Sequence, residues 1–269
     1  MPFVQTNGTE LHYTERGIGE PIILLMGLGA PGSVWEEHVR AYESHFRCIL
    51  VDNRGTGRSA KPEGPYTTKM MAADTTGLLD ALKIGEAHIS GISMGSAIAQ
   101  EIALAAPGRV RSLSLHCSWQ QCDNYTRSVF ETLGSGYSHM PADEFQKLLQ
   151  LIIYTPSYFN QNGGKLEAAR DTALLEEQPM PVHAFLAQCE ACITHHTTGQ
   201  LGAITAPTLI TVGDRDIFTP LRLSQSIAAE IKQAELHVFE GSGHTHHWDR
   251  LEDFNRLTLD FLLRHRNLV

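Results

Sequence analysis

A serine between two glycines is the feature of this 269-residue chain that points most directly to chemistry. It lies in Gly91-Ile92-Ser93-Met94-Gly95, after a short apolar run and before a helical pattern. A strand that turns sharply into a helix can hold a serine hydroxyl in a strained conformation facing a cleft. Side chains at positions 91 and 95 would collide across that turn, so glycine is expected there. The pattern predicts a nucleophile at Ser93 if partners exist, and an ordinary turn serine otherwise.

Two later loops contain residues that could act as the acid and the base. Asp214 and Asp216 follow one predicted strand, and His244 follows the next. Loops after the carboxyl ends of parallel strands share one edge of a sheet, so these side chains can converge on Ser93. The histidine would take the serine proton, and a buried carboxylate would orient the ring and stabilise its charged form. Either aspartate can fill that role on spacing alone.

Attack of a serine on a carbonyl also requires two backbone N–H donors for the oxyanion. Met94, at the start of the predicted helix, is expected to supply one of them. Leu28, in a glycine-rich loop after an apolar strand, is expected to supply the other. With these donors, Ser93 would form an acyl-enzyme.

The same glycine-rich loop also fits a dinucleotide-binding pattern. Gly27, Gly29 and Gly32 have the spacing G-x-G-x-x-G, and Asp52 follows Gly32 by twenty positions. Pro31, however, removes an N–H donor where a pyrophosphate would need one. A dinucleotide site would also not explain why the serine turn and its acid and base candidates are present. We therefore expect no cofactor.

Further histidines and a tryptophan are weaker candidates for the site. His244, His246 and His247 form a His-x-His-His run, but no carboxylate or further histidine lies at metal-ligand spacing. We therefore expect no metal. His246 and Trp119 are instead expected to line the cleft as substrate contacts.

Composition narrows the classes of partner. The formal net charge is −9 and no lysine or arginine cluster is present, which argues against nucleic acid. No apolar stretch reaches the roughly 18–20 residues that a membrane helix needs. The N-terminus lacks the basic and apolar regions of a signal peptide. Five cysteines make no even disulfide framework and suit a reducing compartment. A cytoplasmic protein acting on a small molecule is expected.

Apolar strand segments and helical segments alternate through most of the chain. The predicted strands cover a hairpin at 3–16 and the segments 22–26, 46–51, 87–90, 110–116, 207–212 and 235–239. The predicted helices cover 34–44, with Ser33 as N-cap, 68–83, 96–103, 221–231 and 247–265. Strands that are apolar throughout indicate a parallel sheet covered on both faces.

The strand rhythm is interrupted once. Residues 119–203 contain no convincing buried strand, and helical patterns lie at 144–153, 166–177 and 182–193. We therefore predict a core domain from residues 1–118 and 204–269 and a helical insertion at 119–203.

These motifs together resemble the α/β-hydrolase superfamily. Residues 52–59 are similar to its D-x-R-G-x-G-x-S loop, and residues 213–220 are similar to its G-x-x-D-x-x-x-P acid loop, which places the acid at Asp216. Gly243-His244 matches its base. Met26 departs from the family, which often has histidine there. The resemblance implies an α/β-hydrolase fold, with a mostly parallel eight-stranded sheet and the insertion as a cap.

Within that superfamily the chain resembles small bacterial esterases and enol-lactonases. The expected activity is cofactor-independent hydrolysis of a small carboxylic ester or lactone through an acyl-enzyme. Two alternatives remain open at this point. The same residues could hydrolyse a C–C bond in a β-diketone-like compound, or could serve a small-molecule receptor with little turnover.

Overall fold

Eight strands in the part of the chain that the structure describes form one sheet in the order β1-β2-β4-β3-β5-β6-β7-β8. A computed structural model describes residues 2–175 and 179–267. The strands are β1 (Phe3–Thr6), β2 (Thr9–Arg16), β3 (Glu20–Leu25), β4 (Phe46–Val51), β5 (Ala87–Ile92), β6 (Val110–His116), β7 (Thr208–Gly213) and β8 (Ala234–Phe239). β2 pairs antiparallel with both β1 and β4, and the other neighbours are parallel. The carboxyl ends of β3 and β5 to β8 therefore share one edge of the sheet.

Helices cover both faces of this sheet. Outside the segment between β6 and β7 they are α1 (Glu36–Tyr42), α2 (Thr68–Ala81), α3 (Met94–Ala105), α8 (Leu221–Glu230), α9 (His246–Asp249) and α10 (Leu251–Arg264). One buried apolar cluster joins the sheet to α2, α3 and α8, and a second joins it to α1 and α10. The central strands are buried on both faces, which explains why β5 and β7 have no exposed residue.

Within the described residues, four helices lie between β6 and β7, and we call them the cap. They are α4 (Asn124–His139), α5 (Ala142–Ile153), α6 (Pro156–Leu174) and α7 (Val182–Thr194). Asp123 caps α4 by accepting the Thr126 N–H, and Thr155 caps α6 by accepting the Tyr158 N–H. In the described part of the cap the only β-type pairing is an isolated bridge at its margin. The insertion is therefore helical as predicted, while its limits at 119 and 203 stay a prediction.

Several element ends differ from the predicted ones. Ser33 is not an N-cap: it lies inside a 3-10 turn, Gly32–Trp35, and α1 follows without a side-chain cap. The turn follows Pro31, whose fixed φ of −74° is compatible with a tight helical entry. The last predicted helix is divided into α9 and α10 at Arg250, which has non-helical angles of −125° and 43°. The predicted helix at 166–177 is the second half of α6, and positions 176 and 177 lie outside the described residues.

No helix of the described residues combines the length and the apolar character needed to cross a bilayer.

Candidate active site

Ser93 lies at the sharp turn between β5 and α3, which we call the elbow (residues 91–95). Its φ of 53° and ψ of −118° are strained for a residue with a side chain. A Cβ on Gly91 would overlap the Gly95 carbonyl, and one on Gly95 would overlap the Leu25 carbonyl of β3. The predicted strain and the need for two glycines are therefore confirmed by the backbone itself.

A buried network of hydroxyl and amide groups supports this turn. The Ser96 hydroxyl lies 2.5 Å from the Ser93 carbonyl and 2.7 Å from the Ser118 hydroxyl. Gln100, one turn further along α3, donates to the Ser118 hydroxyl at 2.8 Å. Ser96 occupies a position where the family often has glycine, and here its hydroxyl ties the first turn of α3 to the end of β6.

The base and acid candidates meet at the ends of β7 and β8. His244 Nδ1 lies 2.8 Å from Asp216 Oδ2. The Asp216 carboxylate also accepts the N–H groups of Phe218 and Thr219 at 2.8 and 2.9 Å and the Thr219 hydroxyl at 2.9 Å. These bonds satisfy a fully buried carboxylate and fix its orientation. A neutral His244 that donates through Nδ1 keeps its acceptor lone pair on Nε2.

The surroundings of His244 favour its charged form. Burial of the ring opposes that form, but the attraction of Asp216 and the nearby Cys117 outweigh burial and raise the pKa of His244 well above its ordinary value. The ring also packs on Phe218, with centroids 4.6 Å apart. The site can therefore hold an imidazolium at the sheet edge that carries Ser93.

The structure brings Asp216, and not Asp214, to His244. Asp214 accepts the Gly241 N–H at 2.6 Å and has a side chain that is 28% exposed. It thus links the loop after β7 to the turn after β8. Asp216 has the burial and the partners that an orienting carboxylate needs.

The loop after β3, residues 26–29, passes directly beside Ser93, and we call it the oxyanion loop. A Cβ built on Gly27 would lie 3.1 Å from the Ser93 Cβ. Asn53 holds the start of this loop by donating to the Met26 carbonyl at 3.0 Å. Leu28 follows Gly27 in this loop. Met94 is the first residue of α3, where backbone N–H groups have no intrahelical acceptor. Both residues therefore lie in segments that adjoin Ser93, and their role as donors stays a prediction.

The two predicted substrate contacts, Trp119 and His246, are buried, as Ser93 and His244 are, and their role at the cleft stays a prediction. Trp119 is fully buried, packs on Phe130 and donates its indole N–H to the Cys192 carbonyl at 3.3 Å. His246 is fully buried too, and its Nε2 lies 2.7 Å from the Thr211 hydroxyl. Each side chain makes one polar contact within the protein, and no hydrogen-bond partner for His246 Nδ1 lies among the described residues.

Asp52 explains the apparent dinucleotide pattern. Its Oδ1 accepts the Gly32 N–H at 2.7 Å, while its Oδ2 accepts the Arg58 N–H at 2.9 Å and bonds His12 at 2.8 Å. The spacing between Gly32 and Asp52 therefore reflects a bond inside the protein. The carboxylate is buried and has no group left for a ribose.

Two residues near the base were missed from the sequence. The Thr219 hydroxyl lies 3.2 Å from His244 Nδ1 and 3.1 Å from the Cys117 carbonyl, in addition to its contact with Asp216. An aspartate followed three positions later by threonine is typical of a side-chain-bonded turn, so Thr219 could have been found. Cys117, which has a φ of 44°, gives no such signal in the sequence.

Comparison with known proteins agrees with this fold. A family model described as alpha/beta hydrolase fold matches residues 20–251. A protein named carbamate hydrolase RutD from Azorhizobium caulinodans is 30% identical over 266 residues, covering 97% of this chain and 98% of the relative. The 2-hydroxy-6-oxo-6-phenylhexa-2,4-dienoate hydrolase of Comamonas testosteroni is 29% identical over 265 residues, covering 94% and 91%. The enol-lactonase structure from Burkholderia xenovorans LB400 has a TM-score of 0.88 at 26% identity, covering 97% and 100%.

Proposed function

Because this chain belongs to the alpha/beta hydrolase fold family, we propose that it is a serine hydrolase that cleaves a small carboxylic ester or lactone. The observation that carries the proposal is the 2.8 Å contact between His244 Nδ1 and Asp216 Oδ2 at the sheet edge that also holds the strained Ser93. The family and its named relatives support hydrolysis, and the ester or lactone and the catalytic residues are our assignment.

Acylation begins with proton transfer from Ser93 to Nε2 of His244 as the serine oxygen attacks the substrate carbonyl. The Asp216 carboxylate stabilises the imidazolium through Nδ1. The tetrahedral oxyanion accepts hydrogen bonds from the N–H groups of Leu28 and Met94. His244 then gives its proton to the leaving alcohol oxygen, and the acyl group stays on Ser93. In a lactone, that leaving oxygen stays attached to the acyl chain.

Deacylation repeats these roles with water. His244 takes a proton from the water, and the resulting hydroxyl attacks the acyl carbonyl, again with the oxyanion held by Leu28 and Met94. Collapse of the second tetrahedral intermediate returns the proton to the serine oxygen and releases a carboxylic acid. No group is oxidised or reduced, and water is the only second substrate.

The enclosure of the site favours a small substrate. Ser93 is 4% exposed and His244 is 6% exposed. The cap contacts the core both next to His244 and at the loop after β3. The Ile153 carbonyl of α5 accepts the Thr245 N–H at 3.4 Å, and Phe185 of α7 packs on Gly29. Substrate must therefore fit beneath the cap or displace it.

Hydrolysis of a C–C bond is a second candidate. Its support is the similarity to the Comamonas testosteroni enzyme, whose name gives a dienoate substrate with a 6-oxo group. In such a compound the same attack on a carbonyl would be followed by protonation of a carbon leaving group, and not of an oxygen.

A substrate panel tests these proposals. Chromogenic esters of increasing acyl length, lactones, β-diketones and carbamates would be compared for multiple turnover, with Ser93→Ala as the control. We expect turnover of an ester or lactone that falls by roughly 10³-fold or more in Ser93→Ala. Preferred turnover of a β-diketone would favour the second candidate. Binding without turnover would overturn both and support a receptor.

A further inference from the structure

A glutamine in the cap bridges two loops of the core. Gln188, on α7, is fully buried. Its Oε1 accepts the Gly29 N–H of the oxyanion loop at 2.9 Å. Its Nε2 donates to the Arg54 carbonyl, in the loop after β4, at 2.7 Å. One side chain of the cap thereby satisfies backbone groups of both loops.

The same part of α7 packs on glycines in both loops. A Cβ on Gly29, which has a φ of 72°, would lie 3.0 Å from the Phe185 ring. A Cβ on Gly55, which has a φ of 93°, would lie 3.4 Å from both Ala184 and Gln188. The helix therefore approaches both backbones closely, and this approach lets a glutamine side chain reach them.

These contacts act on the predicted oxyanion donor. The Gly29 N–H lies in the same peptide plane as the Leu28 carbonyl, so a bond to that N–H restricts the ψ angle of Leu28. Asn53 fixes the other end of the loop at Met26. Between two fixed ends, the direction of the Leu28 N–H is restricted before substrate arrives. Preorganised donors of this kind stabilise a transition state more than a ground state.

We propose that Gln188 is a positioning residue that orients the Leu28 N–H. The geometry of the oxyanion hole then depends on whether α7 of the cap is packed against the two loops. The inference rests on the proposed function, because only an oxyanion gives the Leu28 N–H a role. It adds a link between the cap and the chemistry. When α7 lies on the two loops the donor is oriented, and when α7 lifts that restraint is lost.

Gln150 offers a matched control. It is also buried in the cap, and both ends of its amide are bonded: Nε2 to the Leu166 carbonyl at 2.9 Å and Oε1 to the Arg170 guanidinium at 2.6 Å. Its partners lie within α6, so it does not reach the core loops. Methionine replaces either glutamine with little change in volume.

The experiment compares Gln188→Met with Gln150→Met on the best substrate of the panel. We expect Gln188→Met to lower kcat about 10-fold or more, with KM changed far less, because an oxyanion donor acts in the transition state. Affinity for a boronic acid, which forms a tetrahedral adduct, should fall in parallel, while affinity for the product carboxylate should not. Gln150→Met should keep kcat. Equal losses in the two variants, or a change in KM alone, would overturn the inference.

Hydrogen exchange supplies a readout that needs no turnover. The peptide that spans residues 26–30 should exchange faster in Gln188→Met and at the wild-type rate in Gln150→Met. Unchanged exchange in Gln188→Met would contradict the bridge even if the proposed function holds. Conversely, faster exchange in a protein that hydrolyses nothing on the panel would support the bridge and overturn the proposed function. If Gln188→Met does not fold, Gln188→Glu, which in its protonated form keeps an acceptor for the Gly29 N–H and a donor for the Arg54 carbonyl, should preserve both slow exchange and most of kcat. Faster exchange in that variant would also contradict the bridge.

Discussion

At the scale of single residues, His244 differs from a free histidine because of what surrounds it. Burial opposes its charged form, yet Asp216 holds that form by contact at 2.8 Å, and the pKa of the ring is raised. Asp216 can do this because two N–H groups and the Thr219 hydroxyl keep its carboxylate satisfied. The sequence alone suggests only the ordinary pKa near 6.5.

The raised pKa predicts where activity falls with acid. His244 must be neutral to accept the Ser93 proton, so kcat/KM should decrease as pH falls through the pKa of His244 in the free enzyme. We expect the midpoint of that limb above 6.5, because the folded protein raises this pKa. A profile of kcat/KM against pH measures it. A midpoint below 6.5, or no acidic limb, would count against His244 as the base.

The two aspartates are separated by matched substitutions. Asp216→Asn removes the charge that orients the ring and should lower kcat by about 10⁴-fold. It should also shift the acidic limb to lower pH. Asp214→Asn keeps an oxygen that can accept the Gly241 N–H and removes only a partly exposed charge, so it should change kcat only slightly. If Asp214→Asn gave the larger loss, the acid would have to be reassigned.

At the scale of elements, the structure shows which parts of the site depend on local sequence. The elbow can be predicted from the sequence because position 95 lies against the backbone of the adjacent strand, where only glycine fits. The contact of Gln188 with Gly29 is not predictable, because 159 positions separate them and the packing of α7 decides which face meets the core. The sequence does not predict α4 either, since Gly134 and Gly136 interrupt its pattern. In the structure these glycines allow close packing by Leu186 and Leu148.

The elbow gives a stability prediction at this scale. In Gly95→Ala the new Cβ would overlap the Leu25 carbonyl, so β3 and α3 must separate, and we expect a loss of about 3 kcal/mol or more. Gly164→Ala, in α6, meets no atom within 4 Å and should be stabilising by about 1 kcal/mol or less. Denaturant unfolding measures both. Similar stabilities for the two variants would show that the elbow is not closely packed against β3.

At the scale of the whole molecule, the alternation of strands and helices in the sequence predicts the sheet and its helical insertion. It does not predict which polar side chains are buried together. Four buried histidines, His38, His116, His246 and His247, surround the ring of Phe254, with centroids 4.8 to 5.9 Å away. Their sequence positions are scattered, so only the fold brings them together. Burial lowers the pKa of each of them: to about 4 for His38, about 3 for His246 and well below 6.5 for the other two.

This cluster predicts loss of stability in acid. Between pH 6.5 and about 4 the unfolded chain protonates these histidines while the folded protein does not. The free energy of unfolding should then fall by about 1.4 kcal/mol per pH unit for each histidine. His244 adds no slope in this range, because its folded pKa is raised and its stabilising contribution is already complete below pH 6.5. Tm measured against pH should fall steeply below 6.5.

A pair of variants tests whether the buried histidines cause this dependence of the unfolding free energy on pH. His38→Gln should reduce the dependence of the unfolding free energy on pH by about 1.4 kcal/mol per unit. His139→Gln, at an exposed position on α4, should leave it unchanged. A slope that is equal in both variants would mean that the buried cluster does not control acid stability.

The central claim is that Ser93 is the nucleophile, and a covalent adduct tests it most directly. The protein would be treated with a fluorophosphonate, which phosphonylates activated serines, and the modified residue mapped by mass spectrometry. We expect a single adduct on Ser93, formed far more slowly in His244→Ala, with no adduct and no turnover in Ser93→Ala. An adduct on another residue, or full hydrolytic activity in Ser93→Ala, would contradict it.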